Sequence, residues 1–271
     1  MTQDHGPEER RSERPGVASV RAVERAAAIL SAFDAEAPRL TLSEIAAHAE
    51  LDKNTARRLL HTLEAVGWVL HFPRERRYAL GPGLMALQPA VFYERRLRDV
   101  AAPVLARLAA HSGMTAFLWT EFRGHAFCVD RVRAQARLAG VRWTEVGRLM
   151  PINCSGGPRM VMASMDPARR AEVLAGPLHA FTPASCTDPA KLEADARAIA
   201  ARGWELAVDD YSIGMAGLAA PIHDPAGRFR AVISLTDLSR RLAPGPDGLP
   251  PHLDALLEAV AEIGTHLDAE G

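Results

Sequence analysis

The residues best suited to chemistry lie in one short stretch, Asp52 to Gly67, which reads DKNTARRLLHTLEAVG. At helical spacing its leucines can pack inward while the polar residues of the early turns face outward. Side chains of these polar types hydrogen-bond phosphate oxygens and the base edges in the major groove of DNA. The stretch therefore predicts a helix that contacts DNA. Its outward residues are Lys53, Asn54, Thr55, Arg57, Arg58 and His61.

A turn-rich segment, 73–76, follows this stretch and is flanked by strand-like residues at 68–71 and 77–80. The pattern predicts a hairpin with a basic tip, in which guanidinium groups can contact backbone phosphates or a neighbouring minor groove. The chain as a whole has a formal net charge of -1, so this would be a local basic patch on a nearly neutral protein. The arginines of the hairpin are Arg74, Arg76 and Arg77.

Two short helices joined by a tight turn must position these side chains. Thr41 and Glu44 have the spacing of a capping box at the start of a helix over 42–49. Asp52 is a good N-cap for the next helix, 53–66. A basic helix alone is more often a solvated surface than a DNA contact. Here the order of helix, turn, helix and hairpin predicts a winged helix-turn-helix.

The length of 271 residues suits a small domain followed by a medium one. A first helix is expected from Ser19 to a point before Pro38, and a helical connector is expected to be broken or kinked near Pro89 and Pro103. The predicted divisions are a disordered arm (1–16), a winged helix-turn-helix domain (17–81), a linker with connecting helices (82–112) and a second domain (113–271).

Short strand-like runs and helices alternate in the second domain, so the fold class is α+β. A helix is expected to begin at Asp188-Pro189 and to end at Gly203. The other predicted segments are strands at 114–120, 125–132, 136–141, 204–208, 217–222 and 229–236, and helices at 157–164, 166–175 and 250–267.

The composition excludes several classes of protein. Hydrophobic residues make up 48% of the chain, enough for a buried core, but no run approaches the roughly 20 apolar residues that span a bilayer. The N-terminus has no apolar signal region. Three scattered cysteines fit neither a disulfide framework nor a zinc site. We therefore expect a cytoplasmic protein with no membrane partner, no metal and no cofactor.

Long segments of the chain resemble the IclR family of bacterial regulators. They include LTLSEIAAHAELDKNTARRLLHTLEAVGWV near the N-terminus, and MPINCSGGPRMVMA and FRAVISLTDLSRRL in the second domain. The resemblance implies a GAF-like effector-binding domain, a linker helix, and homodimers or tetramers that bind double-stranded operator DNA. A dimer is also expected because one short helix reads only a few base pairs.

The resemblance further implies a small carboxylate effector between the glycine loop and the later strands. Backbone amides at a Gly-Gly turn entering a helix suit an anion, although Pro158 removes one of them. Ala207 and Gly217 stand where some relatives carry polar contacts, which favours an organic acid with a sizeable apolar body. The residues expected to bind the effector are Met150, Gly156, Gly157, Ser234 and Thr236.

Two alternatives remain open. The chain could be an enzyme with Cys154 or Cys186 as the nucleophile, or a ligand-binding module whose helix-turn-helix has lost its affinity for DNA. Other polar and aromatic residues carry little weight in this choice. Adjacent acids at a strand end are usually solvated, and lone tryptophans usually belong to the core even when they can line a cavity. These residues are Asp209, Asp210, Trp119 and Trp143.

Overall fold

The computed structural model describes residues 19–33, 37–90, 95–133 and 144–267. The chain divides into two compact units, residues 1–92 and 93–271. The predicted arm at 1–16, the predicted strand at 136–141 and Trp143 lie outside the described residues. None of the described helices combines the length and the apolar character that crossing a membrane requires.

The first unit has three α-helices and a small sheet in the part that the structure describes. Its elements are α1 (Arg21–Ser31), β1 (Leu40–Thr41), α2 (Leu42–His48), α3 (Lys53–Ala65), β2 (Val69–Phe72), β3 (Arg77–Leu80) and a 3₁₀ helix (Pro82–Ala90). The antiparallel sheet has the order β1-β3-β2. Fully buried side chains of the helices and of β2 form one core, which includes Ile29, Ile45, Leu60 and Val69.

Local sequence determines where these helices begin and end. The capping box is present, because the Glu44 amide donates to Thr41 Oγ1 at 3.3 Å and the Glu44 carboxylate accepts from the Thr41 amide at 2.6 Å. Gly67, directly after the C-cap of α3, has a φ of +76°, a conformation that glycine adopts without steric cost. The predicted helix-turn-helix is therefore confirmed.

The second unit is built on a six-stranded antiparallel sheet with the order β6-β5-β4-β9-β8-β7. Its strands are β4 (Thr115–Phe122), β5 (His125–Val132), β6 (Leu149–Met150), β7 (Glu205–Val208), β8 (Met215–His223) and β9 (Phe229–Leu238). Its helices are α4 (Arg95–Ser112), α5 (Gly156–Ser164), α6 (Pro167–Leu174), α7 (Pro189–Arg202), a 3₁₀ turn (Ser239–Arg241) and α8 (Leu253–Thr265).

Alternation along the central strand β9 assigns the two faces of this sheet. Ile233 and Leu235 belong to the core cluster that also contains residues of α4 and α8. Val232 belongs to the opposite cluster, with residues of α5, α6 and α7. Because side chains alternate along a strand, Ser234 and Thr236 share the α5 side with Val232. The polar residues of β9 thus face the helix that begins at the two glycines.

The predicted α+β architecture is confirmed. The differences are two unpredicted short strands and the exact ends of some elements. β1 was not predicted, because two residues are too short for alternation to be recognised. β8 begins at Met215 rather than at residue 217 and α8 spans Leu253–Thr265 rather than 250–267. β6 was also missed, since it has only two residues.

Candidate functional site

The outer surface of α3 carries a continuous polar stripe. Lys53, Asn54, Arg57, Arg58 and His61 are all exposed, whereas Ala56, Leu60 and Leu63 on the opposite side are buried. None of the stripe's basic residues forms an ion pair with another residue that the structure describes. The structure therefore brings five of the six predicted helix residues together on one accessible face. We call these five residues the α3 basic face.

Thr55, the sixth predicted residue, contributes to the start of the helix. Asp52 Oδ1 accepts from the amides of Asn54 and Thr55 at 3.0 and 2.9 Å, and the Thr55 hydroxyl donates to Asp52 Oδ2 at 2.6 Å. These hydrogen bonds lower the pKa of Asp52. The hydroxyl of Thr55 is thus already engaged in the N-cap, which holds the first turn of α3 in place.

The hairpin between β2 and β3 separates its three arginines. Arg74 and Arg76 are exposed at the tip, where Arg76 has a φ of +51°. Arg77 is only partly exposed and donates from Nη1 to the Arg39 carbonyl at 2.7 Å. Arg77 therefore also joins β3 to the residue that precedes β1.

Arg39, which precedes β1, is a basic residue beside this hairpin that was not predicted from the sequence. Its guanidinium donates to both oxygens of Glu75 at 3.0 and 2.8 Å and lies 4.4 Å from the centre of the Phe72 ring. Glu75 is flanked by Arg74 and Arg76, so its pairing with Arg39 neutralises the acid at an otherwise basic tip. Its position two residues before the capping box could have drawn attention to Arg39. Its contact with Glu75, however, depends on the fold of the hairpin.

A cavity in the second unit lies where the start of α5 approaches β4, β7, β8 and β9. Its volume is about 50 Å³, several times the roughly 10–15 Å³ that one water molecule needs. We call it the α5 cavity. Aromatic and apolar side chains share its lining with hydroxyl groups and one carboxylate. The lining residues are Phe117, Trp119, Thr144, Met150, Ser155, Ala207, Asp210, Tyr211, Ser212, Met215, Ala216, Gly217 and Thr236.

Gly156 and Gly157 allow α5 to pack closely on the sheet and are not lining residues of this cavity. A Cβ added to Gly156 would lie 2.1 Å from the Gly217 carbonyl oxygen, and one added to Gly157 would lie 2.4 Å from Trp119 Nε1. Gly217 therefore supplies the backbone surface on which the start of α5 packs. The geometry assigns a packing role to the glycine pair.

The other three expected effector residues take different positions. Met150 and Thr236 line the cavity. Ser234 is 1% exposed and is not a lining residue. Its hydroxyl accepts a hydrogen bond from Trp119 Nε1 at 2.9 Å. Ser234 thereby holds the Trp119 ring, and it is this ring that reaches the cavity.

The expectation that Asp210 is solvated was wrong. Asp210 is 8% exposed and lines the α5 cavity, and its two oxygens accept from the Ser155 amide at 2.9 and 3.0 Å. Burial raises the pKa of Asp210, and the Ser155 amide and the Arg159 guanidinium partly oppose this effect. A carboxylate of the protein itself thus lies at the amino end of α5, where the carboxylate of the effector was expected from the sequence.

The environment of Cys154 does not suit a nucleophile. Cys154 is fully buried, and burial raises the pKa of its thiol well above the ordinary value. A reactive cysteine needs a lowered pKa and a nearby base. Its sulfur donates instead to the Pro151 carbonyl at 3.4 Å. No cluster of metal ligands occurs among the described residues.

Comparison with known proteins gives a consistent family over almost the whole chain. Residues 22–71 match the model of the IclR helix-turn-helix domain, and residues 90–265 match the model described as Bacterial transcriptional regulator IclR C-terminal. The glycerol operon regulatory protein of Streptomyces griseus is 33% identical over 253 residues, which cover 93% of this chain and 98% of that protein. The name of this relative describes the regulation of an operon.

Solved structures agree with this result. The crystal structure of an IclR transcriptional regulator from Alicyclobacillus acidocaldarius has a TM-score of 0.75 at 26% identity and covers 91% of this chain and 98% of its own. An IclR homologue from Microbacterium hydrocarbonoxydans, solved in complex with 4-hydroxybenzoate, has a TM-score of 0.76 at 24% identity and covers 90% of this chain and 97% of its own. At that identity the second likeness shows the fold alone.

Proposed function

The chain belongs to the IclR family of bacterial transcriptional regulators, and from this premise we propose that it binds specific operator DNA under the control of a small molecule held in the α5 cavity. The observation that best supports DNA binding is the α3 basic face. An exposed row of lysine, asparagine, arginine and histidine on a capped helix, beside a hairpin with arginines at its tip, is suited to the major groove and to flanking phosphates.

The proposed contacts divide by chemistry. Asn54, Arg57 and Arg58 have the bidentate or branched donors that read base edges, whereas Lys53 suits a phosphate. Arg74 and Arg76 at the hairpin tip suit phosphates or the minor groove. Thr55, His61 and Arg77 complete the proposed set, with Thr55 and Arg77 also supporting the fold around them.

We further propose a catabolic role and a cytoplasmic location, with a homo-oligomer as the unit that binds DNA. The relative from Streptomyces griseus is named for a glycerol operon, and this name supports a role in the use of small carbon compounds. An organic acid is the effector class favoured by the sequence, and Asp210 in the cavity lining weighs against an ionised one.

Fluorescence anisotropy of the full-length protein on labelled DNA from upstream of its own gene tests the DNA-binding proposal. We expect binding at least about a thousandfold tighter than to a shuffled duplex of the same length, with affinity that falls as salt rises. Equal affinity for the two duplexes would favour the DNA-inactive ligand-binding module instead.

A further inference from the structure

The charge of the α5 cavity is unlike that of a site for anions. Of the thirteen described residues that line it, Asp210 is the one that carries a formal charge, and the set contains no lysine, arginine or histidine. The remaining polar groups are the hydroxyls of Thr144, Ser155, Tyr211, Ser212 and Thr236. Among the described lining residues a ligand therefore meets hydroxyl groups and a carboxylate, and none of these residues is a cation that could pair with a negative charge.

Asp210 is held in the cavity from several directions. The Ser155 amide donates to both of its oxygens. The Ser185 hydroxyl donates to the Asp210 carbonyl at 2.6 Å, and the Thr182 hydroxyl donates to the Asp209 carbonyl at 2.6 Å. These bonds fix the backbone of the loop as well as the side chain. The carboxylate is therefore a built part of the cavity wall.

Arg159, the arginine whose charge lowers the pKa of Asp210, is paired with other acids. Arg159 Nε donates to Glu205 at 2.7 Å and its Nη2 donates to Asp195 at 3.2 Å. All three side chains are at most one-third exposed. Arg159 thus offsets the charge of Asp210 from a distance but is not available as the partner of a second carboxylate in the cavity.

An ionised acid would lose its water on entering this cavity and would then lie near a like charge. Both effects disfavour the charged form of the ligand. A neutral hydroxyl group avoids both costs, because it donates to Asp210, whose oxygens keep free lone pairs beside the Ser155 amide. Phe117, Trp119 and Met215 supply apolar surface for the carbon body of such a ligand.

We propose that the α5 cavity takes a neutral, hydroxyl-bearing molecule that donates a hydrogen bond to Asp210, and that Asp210 discriminates against ionised acids. The inference rests on the proposed regulatory function and refines its ligand class. A cationic amine is less well suited, because it also loses its water on entering the cavity, a cost that a neutral hydroxyl group avoids.

Matched ligand pairs test the proposal on the full-length protein. The probes are 4-hydroxybenzyl alcohol against 4-hydroxybenzoate, and glycerol against glycerate, with 4-hydroxybenzylamine as the cationic arm. Thermal shift and calorimetry at pH 7.5 should show that at least one alcohol binds, and that it binds at least about tenfold more tightly than its acid. The amine should bind no more tightly than the corresponding alcohol.

Asp210→Asn keeps the size of the side chain and an acceptor oxygen but removes the charge. We expect it to reduce the preference for alcohol over acid by about tenfold. Asp209→Asn is the matched control, since it makes the same charge change in the neighbouring residue, which does not line the cavity. Asparagine tolerates the φ of +60° there and can still accept from the Gly214 amide. The control should leave the preference unchanged.

Several outcomes would overturn the inference. They are tighter binding of an acid than of its alcohol, tightest binding of the amine, no binding of any probe by the parent protein, or an unchanged preference in Asp210→Asn. Operator binding measured on the same preparations separates this failure from a failure of the proposed function. A protein that binds its operator but prefers acids refutes only the role given to Asp210.

Discussion

The arginine of α6 and the arginines of α3 are held in different ways. Arg170, in α6, is 5% exposed and donates to both oxygens of Glu193. Arg57 and Arg58 are exposed on α3, and neither forms an ion pair with a residue that the structure describes. A guanidinium without a protein partner can exchange its hydration for phosphate or base contacts at little cost, which is the requirement for binding DNA.

We therefore expect Arg57→Ala and Arg58→Ala each to weaken operator binding by at least about fivefold, since a base contact contributes about 1–3 kcal/mol. A residue that contacts phosphate should instead lower the affinity for all sequences alike and reduce the salt slope by about 1. Anisotropy titrations at several salt concentrations distinguish the two cases. Arg197→Ala, on an exposed part of α7, is the control. A double variant that footprints like the parent would remove both residues from the proposed interface.

The close approach of Gly156 and Gly217 predicts an effect on stability. A Cβ on Gly156 would lie 2.1 Å from a backbone oxygen, which cannot move aside as a flexible side chain can. Gly156→Ala should destabilise the second unit by about 1–3 kcal/mol, as overpacking does. Urea unfolding followed by tryptophan fluorescence measures this change. Gly245→Ala, where the nearest atom is the end of the Asp247 side chain at 3.1 Å, should have a much smaller effect.

The surroundings of the candidate site residues could be predicted from the sequence only where local pattern decides their exposure. The α3 basic face follows from helical spacing and an N-cap, so the sequence located it. The position of Asp210 depends on the amide of Ser155, 55 residues earlier in the chain. No local pattern distinguishes such an acid from a solvated one, and the pair Asp209-Asp210 was for that reason expected to be exposed.

Between elements, α6 and α7 are joined by a bidentate ion pair. Arg170 Nε and Nη2 donate to the two oxygens of Glu193 at 2.7 and 3.0 Å, and Arg170 Nη1 also donates to the Met165 carbonyl at 3.1 Å. The hydrogen bond from Arg170 is the main cause that lowers the pKa of Glu193 to about 2. Arg197 adds to this effect from the same helix as Glu193.

This pair predicts how stability depends on pH. A carboxyl group whose pKa is lowered by folding stabilises the protein above its ordinary pKa, near 4.5, and loses that contribution as the pH falls towards 2. Glu193→Gln should therefore be less stable than the parent at pH 7, and the difference should narrow between pH 4.5 and 2. Urea midpoints measured at several pH values test this. Glu172→Gln, in an exposed pair, is the control, and a difference that stays constant with pH would contradict the prediction.

The observed ends of helices agree with the predicted ends where a capping residue marks them. Asp188, Pro189 and Gly203 bound α7 as predicted, with Gly203 at a φ of +80°. The two-residue strands β1 and β6 carry no such marks and exist because neighbouring strands pair with them. Pairing between distant segments is a property of the fold, so short edge strands cannot be read from local sequence.

At the scale of the whole molecule, the short length of α3 bears on how many copies of the chain must bind DNA together. The helix spans Lys53–Ala65 and presents its contact residues over its first turns, which suffices for only a few base pairs. We expect a dimer or larger homo-oligomer at micromolar concentration, and a pseudo-palindromic operator. Sedimentation velocity with and without operator DNA measures the state. A monomer under both conditions would contradict the expectation.

The loop origin of Asp210 has a consequence for how such proteins diverge. Asp210 projects from the connection between β7 and β8, whereas the glycines that seat α5 and the residues of β9 belong to the packed framework. Replacing Asp210 changes no residue of this framework, although it removes the acceptor of the Ser155 amide that precedes α5. If Asp210 sets the ligand preference as proposed, a single substitution in this loop can change that preference between paralogues, and overall sequence identity is then a poor guide to which metabolite a given paralogue detects.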